Sequence, residues 1–228
     1  MVKRKTAKLT KEQNFALKLL ASSPLAKTFY WTGGTALAFF YLNHRESYDL
    51  DFFTDKPFTY NAVKPFAENL SHKLRLKKLS ERKVNDRWEF ILKNGGTVRL
   101  EFVHYNFPAL KSRRKWRGIF VDSLKDMAAN KTMAMIDRKE PKDALDVYFL
   151  VTDAGLQPEA LLDLVQKKFG AKFSPSLFWG EGLLGSRGLD SIQPLLRGSK
   201  EKKERTIRTV QTFFENGAAE FIRHRFQE

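Results

Sequence analysis

Two aspartates spaced two residues apart, Asp49 and Asp51, are the side chains of this sequence with the clearest potential for chemistry. They lie in the apolar run Asp49-Leu50-Asp51-Phe52-Phe53, which is typical of a strand. Residues i and i+2 of a strand point to the same face, so we expect both carboxylates to project together. Paired carboxylates repel each other unless a cation neutralises them, and Mg²⁺ binds carboxylates together with phosphate oxygens. The spacing predicts a site for a divalent cation and a phosphorylated ligand; the alternative is a solvated strand edge.

A Gly-Gly-Thr turn precedes the aspartates. Gly33, Gly34 and Thr35 follow a short apolar run over 29–32 and precede a short helical pattern. Glycine lets the backbone approach a phosphate closely, and the N–H groups at a helix start favour an anion. We interpret these three residues as contacts of a nucleoside triphosphate, Thr35 through its hydroxyl as well; the alternative is a simple turn.

A site that held two metal ions would need a third carboxylate, because two ions carry more charge than two aspartates can balance. Glu101 is the candidate, in a run whose apolar residues face the opposite way. If this run pairs with the aspartate strand, Glu101 joins Asp49 and Asp51 in a two-ion Mg²⁺ site, with Mn²⁺ as the alternative ion. A cross-strand ion pair involving Arg99 or its neighbours is the other interpretation.

A lysine interrupts the apolar stripe of a predicted helix over 123–137. Lys131 lies between Met127 and Met135, and Arg138 continues the same stripe. A buried lysine is costly unless it is paired. Either the side chain extends along the surface so that its ammonium reaches water, or Lys131 reaches into a cleft and binds the triphosphate or the leaving pyrophosphate.

Two further aspartates, Asp143 and Asp146, lie one turn apart on the next predicted helix. Asp146 has apolar neighbours and needs a cationic partner, for which Lys131 and Arg138 are the candidates. Asp143 is close to the helix start, where a carboxylate also interacts with the helix dipole. We expect the two aspartates to position Lys131, or one of them to help activate the acceptor.

His44 and Arg45 lie in the loop before the first aspartate pair. Arg45 could contact the phosphates or fix the loop by pairing with Asp51 or Asp146. His44 is expected to be structural, because nothing in the sequence places it as a base.

The chain is strongly basic, with a formal net charge of +15 over 228 residues. A basic surface attracts polyphosphate and nucleic acid. The charge is concentrated in runs over 72–78, 111–117 and 200–205, and the second run contains Trp116, which could stack on a base or anchor its loop to the core. The composition therefore favours an anionic partner such as RNA.

Cysteine is absent, which excludes disulfides, thiolate metal sites and a cysteine nucleophile. The sequence contains no apolar run long enough to span a bilayer and no signal-like segment, so we expect a cytoplasmic protein without a membrane partner.

The elements that must position these residues form two halves. Residues 1–120 predict a mixed sheet with packed helices, and residues 121–228 predict a helical half, so the fold class is α/β (α+β). The predicted strands are 29–32, 49–53, 74–79, 88–92 and 97–103, with a hairpin turn at 93–96. The first predicted helix begins near residue 11. The other predicted helices are 35–42, 61–71, 123–137, 140–152, 158–169, 191–196 and 200–226, and a loop is predicted at 170–190.

The phrases G-G-T-A-L-A and H-R-x-S-x-D-L-D-F-F resemble the nucleotidyltransferase superfamily, and more closely its AbiEii/AbiGii toxin family. A second phrase, K-x₆-R-x₃-K-D-x₂-D, resembles another signature of that family, with Lys142 where arginine is more usual and Val147 where leucine is. The resemblance covers residues from about 25 to 155. It implies a DNA polymerase beta-like fold, a toxin of a toxin–antitoxin or phage-defence pair, an RNA acceptor such as tRNA, and a cognate antitoxin protein.

These observations predict a metal-dependent nucleotidyltransferase that moves a nucleoside monophosphate from a nucleoside triphosphate to an acceptor hydroxyl. Two alternatives remain open: a catalytically weak nucleotide- or RNA-binding protein of the same fold, and a small-molecule transferase of the antibiotic-modifying type. The intact aspartate pair argues against the first. The excess of positive charge argues against the second, because cationic antibiotics favour acidic surroundings.

Overall fold

The computed structural model describes residues 8–76, 78–93 and 97–225. Three predicted features therefore extend beyond it: the turn at 93–96, part of the basic run over 72–78, and the end of the helix over 200–226. The chain divides into two compact units, one with residues up to Asn43 and Ser47–Ser123, the other with His44–Glu46 and the residues from Leu124 onward. The division into two domains, 1–120 and 121–228, stays a prediction.

The first unit combines a mixed sheet with helices. Its helices are α1 (Lys11–Ala21), α2 (Gly33–Leu37), which continues as a π-helical turn (Ala38–Leu42), and α3 (Tyr60–Lys73), with a 3₁₀ turn at Pro24–Lys27. Its strands are β1 (Tyr30–Thr32), β2 (Asp49–Thr54), β3 (Lys78–Val84), β4 (Arg87–Lys93), β5 (Thr97–His104), β6 (Arg114–Trp116) and β7 (Ile119–Val121).

The strands of the described residues form one sheet in the order β3-β4-β5-β2-β1-β7-β6. The β2–β5 and β1–β7 pairs are parallel and the other neighbours are antiparallel. One face carries a packed apolar layer in which Phe52, Phe90 and Phe102 are fully buried and the Phe102 ring contacts the other two. Alternation along the strands therefore leaves the opposite face for the polar residues.

Local signals at helix starts are confirmed in this unit. Thr10 and Gln13 form the capping box expected before α1.

The predicted strand over 74–79 is wrong in its first half, because 74–76 completes the end of α3: Arg75 has a positive φ and the N–H of Leu76 donates to the Ser71 carbonyl. The strand β3 begins at Lys78 instead.

The second unit is helical in the described residues. Its helices are α4 (Leu124–Arg138), α5 (Pro141–Thr152), α6 (Pro158–Phe169), α7 (Pro175–Ser186) and α8 (Lys200–Arg225), with a 3₁₀ helix at Leu189–Leu195. Helix α4 packs against α5, α6 and α7, and α7 packs against α8. The mixed sheet and this helical unit confirm the predicted fold class.

Helix α7 corrects the predicted loop over 170–190. Two of the glycines in this segment are sites of close helix packing: a side chain at Gly182 would overlap the Phe214 ring, and Gly185 lies against Ala144. Pro175 takes the first helical position, where its missing N–H costs nothing, and the Ser174 hydroxyl caps the helix.

No helix within the described ranges is both long enough and apolar enough to cross a membrane.

Candidate active site

The Gly-Gly turn and the aspartate strand meet in the first unit. Thr32 of β1 is the register partner of Asp51, and Gly33 follows with a φ of 76°. A Cβ atom at Gly33 would overlap the Asp51 carboxylate. Glycine is therefore required here twice over, by the left-handed backbone and by the close approach of the carboxylate. Helix α2 begins at Gly33, two residues before the predicted start.

Thr35 holds the start of the aspartate strand in place. Its side chain is buried, and its hydroxyl donates to the main-chain carbonyl of Asp49 and lies 3.0 Å from the Ser47 hydroxyl. The structure thus gives this hydroxyl a positioning role, and its contact with phosphate stays a prediction. Gly33 and Gly34 form the first turn of α2, and their contact with a triphosphate also stays a prediction.

The three predicted carboxylates share one face of the sheet. Leu50 and Phe52 are fully buried on the other face, so Asp49 and Asp51 project together as expected. In the parallel pairing of β2 with β5, Asp51 is the register partner of Glu101. The pairing that sequence reasoning could only suppose is therefore present.

Arginines also occupy this face and bind Glu101. Its Oε1 is 2.8 Å from Arg99 Nη2 and its Oε2 is 3.1 Å from Arg87 Nη1. Arg99 Nη1 also lies 3.7 Å from Asp49 Oδ2. The cross-strand ion pair considered as an alternative is thus present, and Glu101 is already neutralised by arginine.

A fourth carboxylate, Glu89, was not predicted from the sequence. It is the register partner of Glu101 on β4, it is buried, and its Oε2 lies 2.8 Å from Arg82 Nη2. Burial by itself raises the pKa of Glu89, but the hydrogen bond from Arg82 and the charges of Arg99 and Arg87 outweigh it and lower the pKa. The sequence feature that could have indicated Glu89 is its spacing from Arg87, because residues two apart on a strand share a face.

The donor types of this face fit a hard divalent cation, since carboxylate oxygens are what Mg²⁺ prefers. The arrangement fits only in part: among the described residues no group of three His, Cys, Asp or Glu side chains stands close enough to hold a metal ion. Asp49 and Asp51 are the pair on which an ion could bind, with Arg99 Nη1 3.7 Å from Asp49 Oδ2, and Glu101 is held more closely by Arg99 and Arg87.

A second cluster lies in the helical unit and contains the predicted Lys131. Its ammonium is 2.8 Å from Asp146 Oδ2 and 3.0 Å from Asp143 Oδ1, and the side chain is buried. The surface-directed lysine considered as an alternative is therefore wrong. Burial by itself lowers the pKa of Lys131, but the charges of Asp146 and Asp143 outweigh it and raise the pKa, so the ammonium is charged.

Asp146 is the best-connected residue of this cluster. Arg45 binds it through two nitrogens, Nε to Oδ1 at 2.7 Å and Nη2 to Oδ2 at 2.9 Å, and His44 Nε2 lies 2.6 Å from Oδ1. Burial opposes ionisation, but Arg45 and Lys131 hold the pKa of Asp146 well below its ordinary value. Of the partners considered for Arg45, the structure has Asp146, and His44 takes the structural role expected of it.

Asp143 receives the remaining cation. Arg138 Nε lies 2.7 Å from Oδ2 and Nη2 lies 3.1 Å from Oδ1. Burial by itself raises the pKa of Asp143, but Lys131 and the Arg138 hydrogen bond lower it overall. The pairing of Asp146 with Lys131 is confirmed, and Arg138 binds Asp143 instead.

Three cations (Lys131, Arg45 and Arg138) surround the two buried carboxylates of this cluster, Asp143 and Asp146. Arg138 is 41% exposed and also lies 4.0 Å from Glu140 Oε1, so a third carboxylate borders the cluster. Burial lowers the pKa of His44 even though Asp146 accepts its hydrogen bond, so His44 is neutral at pH 7 and adds no charge.

The basic run over 111–117 is partly structural. Trp116 packs against Trp31 at 5.6 Å and Phe40 at 5.4 Å between ring centroids, which supports the anchoring interpretation over base stacking. Arg113 lies 3.5 Å above the Tyr30 ring and its Nε is 3.3 Å from Asp122 Oδ1. Arg114 and Arg117 are exposed.

Comparison with known proteins gives a family match. The model of the family described as "Nucleotidyl transferase AbiEii toxin, Type IV TA system" matches residues 16–216. The chain is 36% identical over 166 residues to the uncharacterized protein aq_aa25 of Aquifex aeolicus (strain VF5), covering 71% of this chain and 76% of that protein.

Solved structures show the fold. One similar structure, from Helicobacter pylori, is described as a candidate nucleotidyltransferase; its TM-score is 0.50 at 18% identity, over 92% of this chain and 95% of that one. JHP933 from the same species gives a TM-score of 0.49 at 17% identity, over 97% and 100%. The first of these confirms the nucleotidyltransferase-like fold.

Proposed function

Since the chain belongs to the AbiEii nucleotidyltransferase toxin family and is a nucleotidyltransferase, we propose that it uses Mg²⁺ to transfer a nucleoside monophosphate to RNA. The acceptor hydroxyl attacks the α-phosphorus of a nucleoside triphosphate in line, and pyrophosphate leaves. The observation that carries the proposal is the joint placement of Gly33 and two carboxylates: Asp51 lies against Gly33, and Asp49 projects on the same strand face.

Each residue of the first unit has a separate part in this proposal. Asp49 and Asp51 would hold Mg²⁺, which would neutralise charge on the phosphates, with Mn²⁺ as a substitute. Glu101 would join them in a two-ion site if metal took the place of Arg99 and Arg87 at its carboxylate. Gly33 and Gly34 let the backbone approach the triphosphate, and Thr35 fixes Asp49 through its main-chain carbonyl.

The cluster of the second unit supplies positive charge. We assign Lys131 to the triphosphate or to the leaving pyrophosphate, because two of its three N–H donors are used by Asp146 and Asp143 and one remains. Asp143 and Asp146 fix the ammonium, and Arg45 and Arg138 keep both aspartates ionised.

The acceptor proposed is RNA, and the role proposed is that of the toxin of a toxin–antitoxin pair acting in the cytoplasm. The formal net charge of +15 supports an acceptor that is a polyanion. The family description supports the toxin role, and a cognate antitoxin protein is the partner it implies.

A labelling experiment tests the proposal. The protein is incubated with each α-³²P-labelled nucleoside triphosphate, MgCl₂ and total RNA, and label in RNA is measured after electrophoresis. We expect labelling by the parent and by Asp163→Asn, an exposed aspartate on α6, and none by Asp51→Asn. Labelling by Asp51→Asn at the parent's rate, or no transfer of label by the parent with any nucleotide, would overturn it.

A further inference from the structure

A groove lies on the surface of the second unit, between α5 and α8. Its volume is about 470 Å³, within the range of about 300–1,000 Å³ that is usual for ligand sites. We propose that this α5–α8 groove binds a single-stranded segment of the RNA acceptor, an inference that rests on the proposed function. Residues from both helices line it: Tyr148 comes from α5, and Arg205, Arg208, Thr212, Phe213 and Asn216 come from α8.

The groove is positively charged, and none of the described residues that line it carries a carboxylate that could neutralise this charge. Arg205 and Arg208 are exposed and one turn apart, so their Cβ atoms are about 5–6 Å from each other. No aspartate or glutamate lines the groove, and no carboxylate of the described residues lies within 4 Å of either guanidinium. Two guanidinium groups free of protein carboxylates are suited to phosphate, which arginine binds through paired N–H donors.

Aromatic rings lie beside these charges. The Tyr148 and Phe213 rings are in edge contact, with centroids 5.2 Å apart, and the Trp179 ring packs against Phe213 with centroids 5.4 Å apart. Bases of a single strand stack on such rings while arginines follow the backbone. The Thr212 hydroxyl and the Asn216 amide add hydrogen-bonding groups suited to ribose and base edges. This combination favours nucleic acid over an acidic protein segment, which has no bases to stack.

The groove and the Lys131 cluster use different faces of α5. Tyr148 follows Asp146 by two residues, which places the two side chains about 200° apart around the helix. Asp146 is fully buried, whereas Tyr148 reaches the surface. Substitutions in the groove can therefore change RNA binding and leave the buried ion pairs intact.

Fluorescence anisotropy with a labelled unstructured oligoribonucleotide tests this inference on the full chain. We expect Arg205→Gln/Arg208→Gln to weaken binding at least about tenfold. The slope of log affinity against log salt should fall by about 1.4, since each phosphate contact on a single strand contributes about 0.7. The matched control Lys167→Gln/Lys172→Gln removes the same charge from exposed positions outside the groove and should bind like the parent.

Competition experiments identify the ligand class. Unlabelled oligoribonucleotide should displace the probe at far lower concentration than polyglutamate of equal charge or a nucleoside monophosphate. Equal competition by either compound, unchanged binding by the Arg205/Arg208 variant, equal losses in the control variant, or a parent that binds no RNA would each overturn the inference.

The experiments distinguish an error in the assignment of the groove from an error in the proposed function. If the parent labels RNA and the Arg205/Arg208 variant labels it with an unchanged KM for RNA, the groove is wrong and the function stands. If the parent binds RNA in the groove but transfers no label, the groove stands and the function is wrong.

Discussion

The carboxylate of Asp51 occupies the space that a side chain at Gly33 would need. Gly33 is the first residue of α2 and Asp51 lies in the neighbouring strand β2, opposite Thr32. The Gly-Gly turn and the aspartate pair are therefore two parts of one packed arrangement, and a side chain added at Gly33 should displace the Asp51 carboxylate.

Gly33→Ala is expected to reduce both stability and transfer. The left-handed backbone costs about 1–2 kcal/mol for a residue with a Cβ, and forcing the Asp51 carboxylate aside adds about 1–3 kcal/mol. Gly118→Ala is the control in the same unit, because Gly118 also has a positive φ but only an ordinary contact with Ala21. Thermal denaturation should show a clearly larger loss for Gly33→Ala, together with loss of RNA labelling; equal losses would contradict this account.

Asp49→Ala and Asp51→Ala should remove ligand-induced stabilisation and leave the apo fold intact. Relief of carboxylate repulsion should not destabilise the apo protein. A ligand at 100 times its Kd stabilises by about 2.7 kcal/mol, which raises the melting temperature by about 2–4 °C per kcal/mol in a chain of this size. Scanning fluorimetry should show this rise with MgCl₂ plus nucleotide in the parent. A similar rise in either variant would remove these aspartates from the site.

The faces of the site strands could be predicted from the sequence, because alternation places Asp49 and Asp51 opposite Leu50 with no need of distant residues. Which strands are neighbours depends on pairings far apart in the chain, so the contact of Glu101 with Arg87 could not be read from periodicity. Asp146 and Arg45 lie about a hundred residues apart in the sequence, so their pairing could be named only as one of several alternatives for Arg45.

Helix α7 shows the other limit. Its glycines favour a loop when only local conformational preference is considered. In the fold, Gly182 and Gly185 are small so that neighbouring helices can approach, which is a tertiary requirement. Local preference was therefore overridden by packing that the sequence does not display.

Lys131→Met separates the structural and catalytic roles of the lysine. From the sequence, a surface-directed Lys131 would tolerate methionine; with its ammonium between Asp143 and Asp146, the change should instead destabilise by about 3–5 kcal/mol, because a buried pair loses its cation. Lys125→Met, at an exposed site of the same helix, should be nearly neutral.

A test of whether Lys131 contributes to catalysis needs a variant in which the charge lost with the lysine is compensated. Lys131→Met/Asp143→Asn removes one cation and one carboxylate together and should recover much of the stability. If Lys131 binds the triphosphate, this double variant still loses about 2–4 kcal/mol of transition-state stabilisation, measured as kcat/KM. Turnover restored along with stability would show that the lysine is only structural.

His44 should make stability depend on pH in the mildly acidic range. Burial depresses its pKa in the folded protein, so below the unfolded pKa of about 6.5 the unfolded chain binds more protons and stability falls as pH falls, by up to about 1.4 kcal/mol per pH unit. The depressed pKa values of Asp143 and Asp146 act only at lower pH, because their contribution is complete above about 3.9. Urea denaturation between pH 7.5 and 5.5 should show a smaller loss of stability for His44→Gln than for the parent, and an equal loss in the two proteins would contradict this account.

The exposed arginines of the run over 111–117 should contribute to RNA affinity through charge alone. Arg114 and Arg117 lie over aromatic rings with their guanidinium groups at the surface, whereas Arg113 is bound to Asp122. Arg114→Gln/Arg117→Gln should therefore lower the salt slope of RNA binding by about 1.4 with little change in melting temperature. Arg113→Gln should instead lower the melting temperature, because it leaves the buried Asp122 carboxylate without this partner. Lys18→Gln/Lys27→Gln, which removes two exposed charges elsewhere in the first unit, serves as the control. An unchanged salt slope in the Arg114/Arg117 variant, or an equal change in the control, would show that this run stays outside the RNA contact and serves to anchor β6 to the sheet.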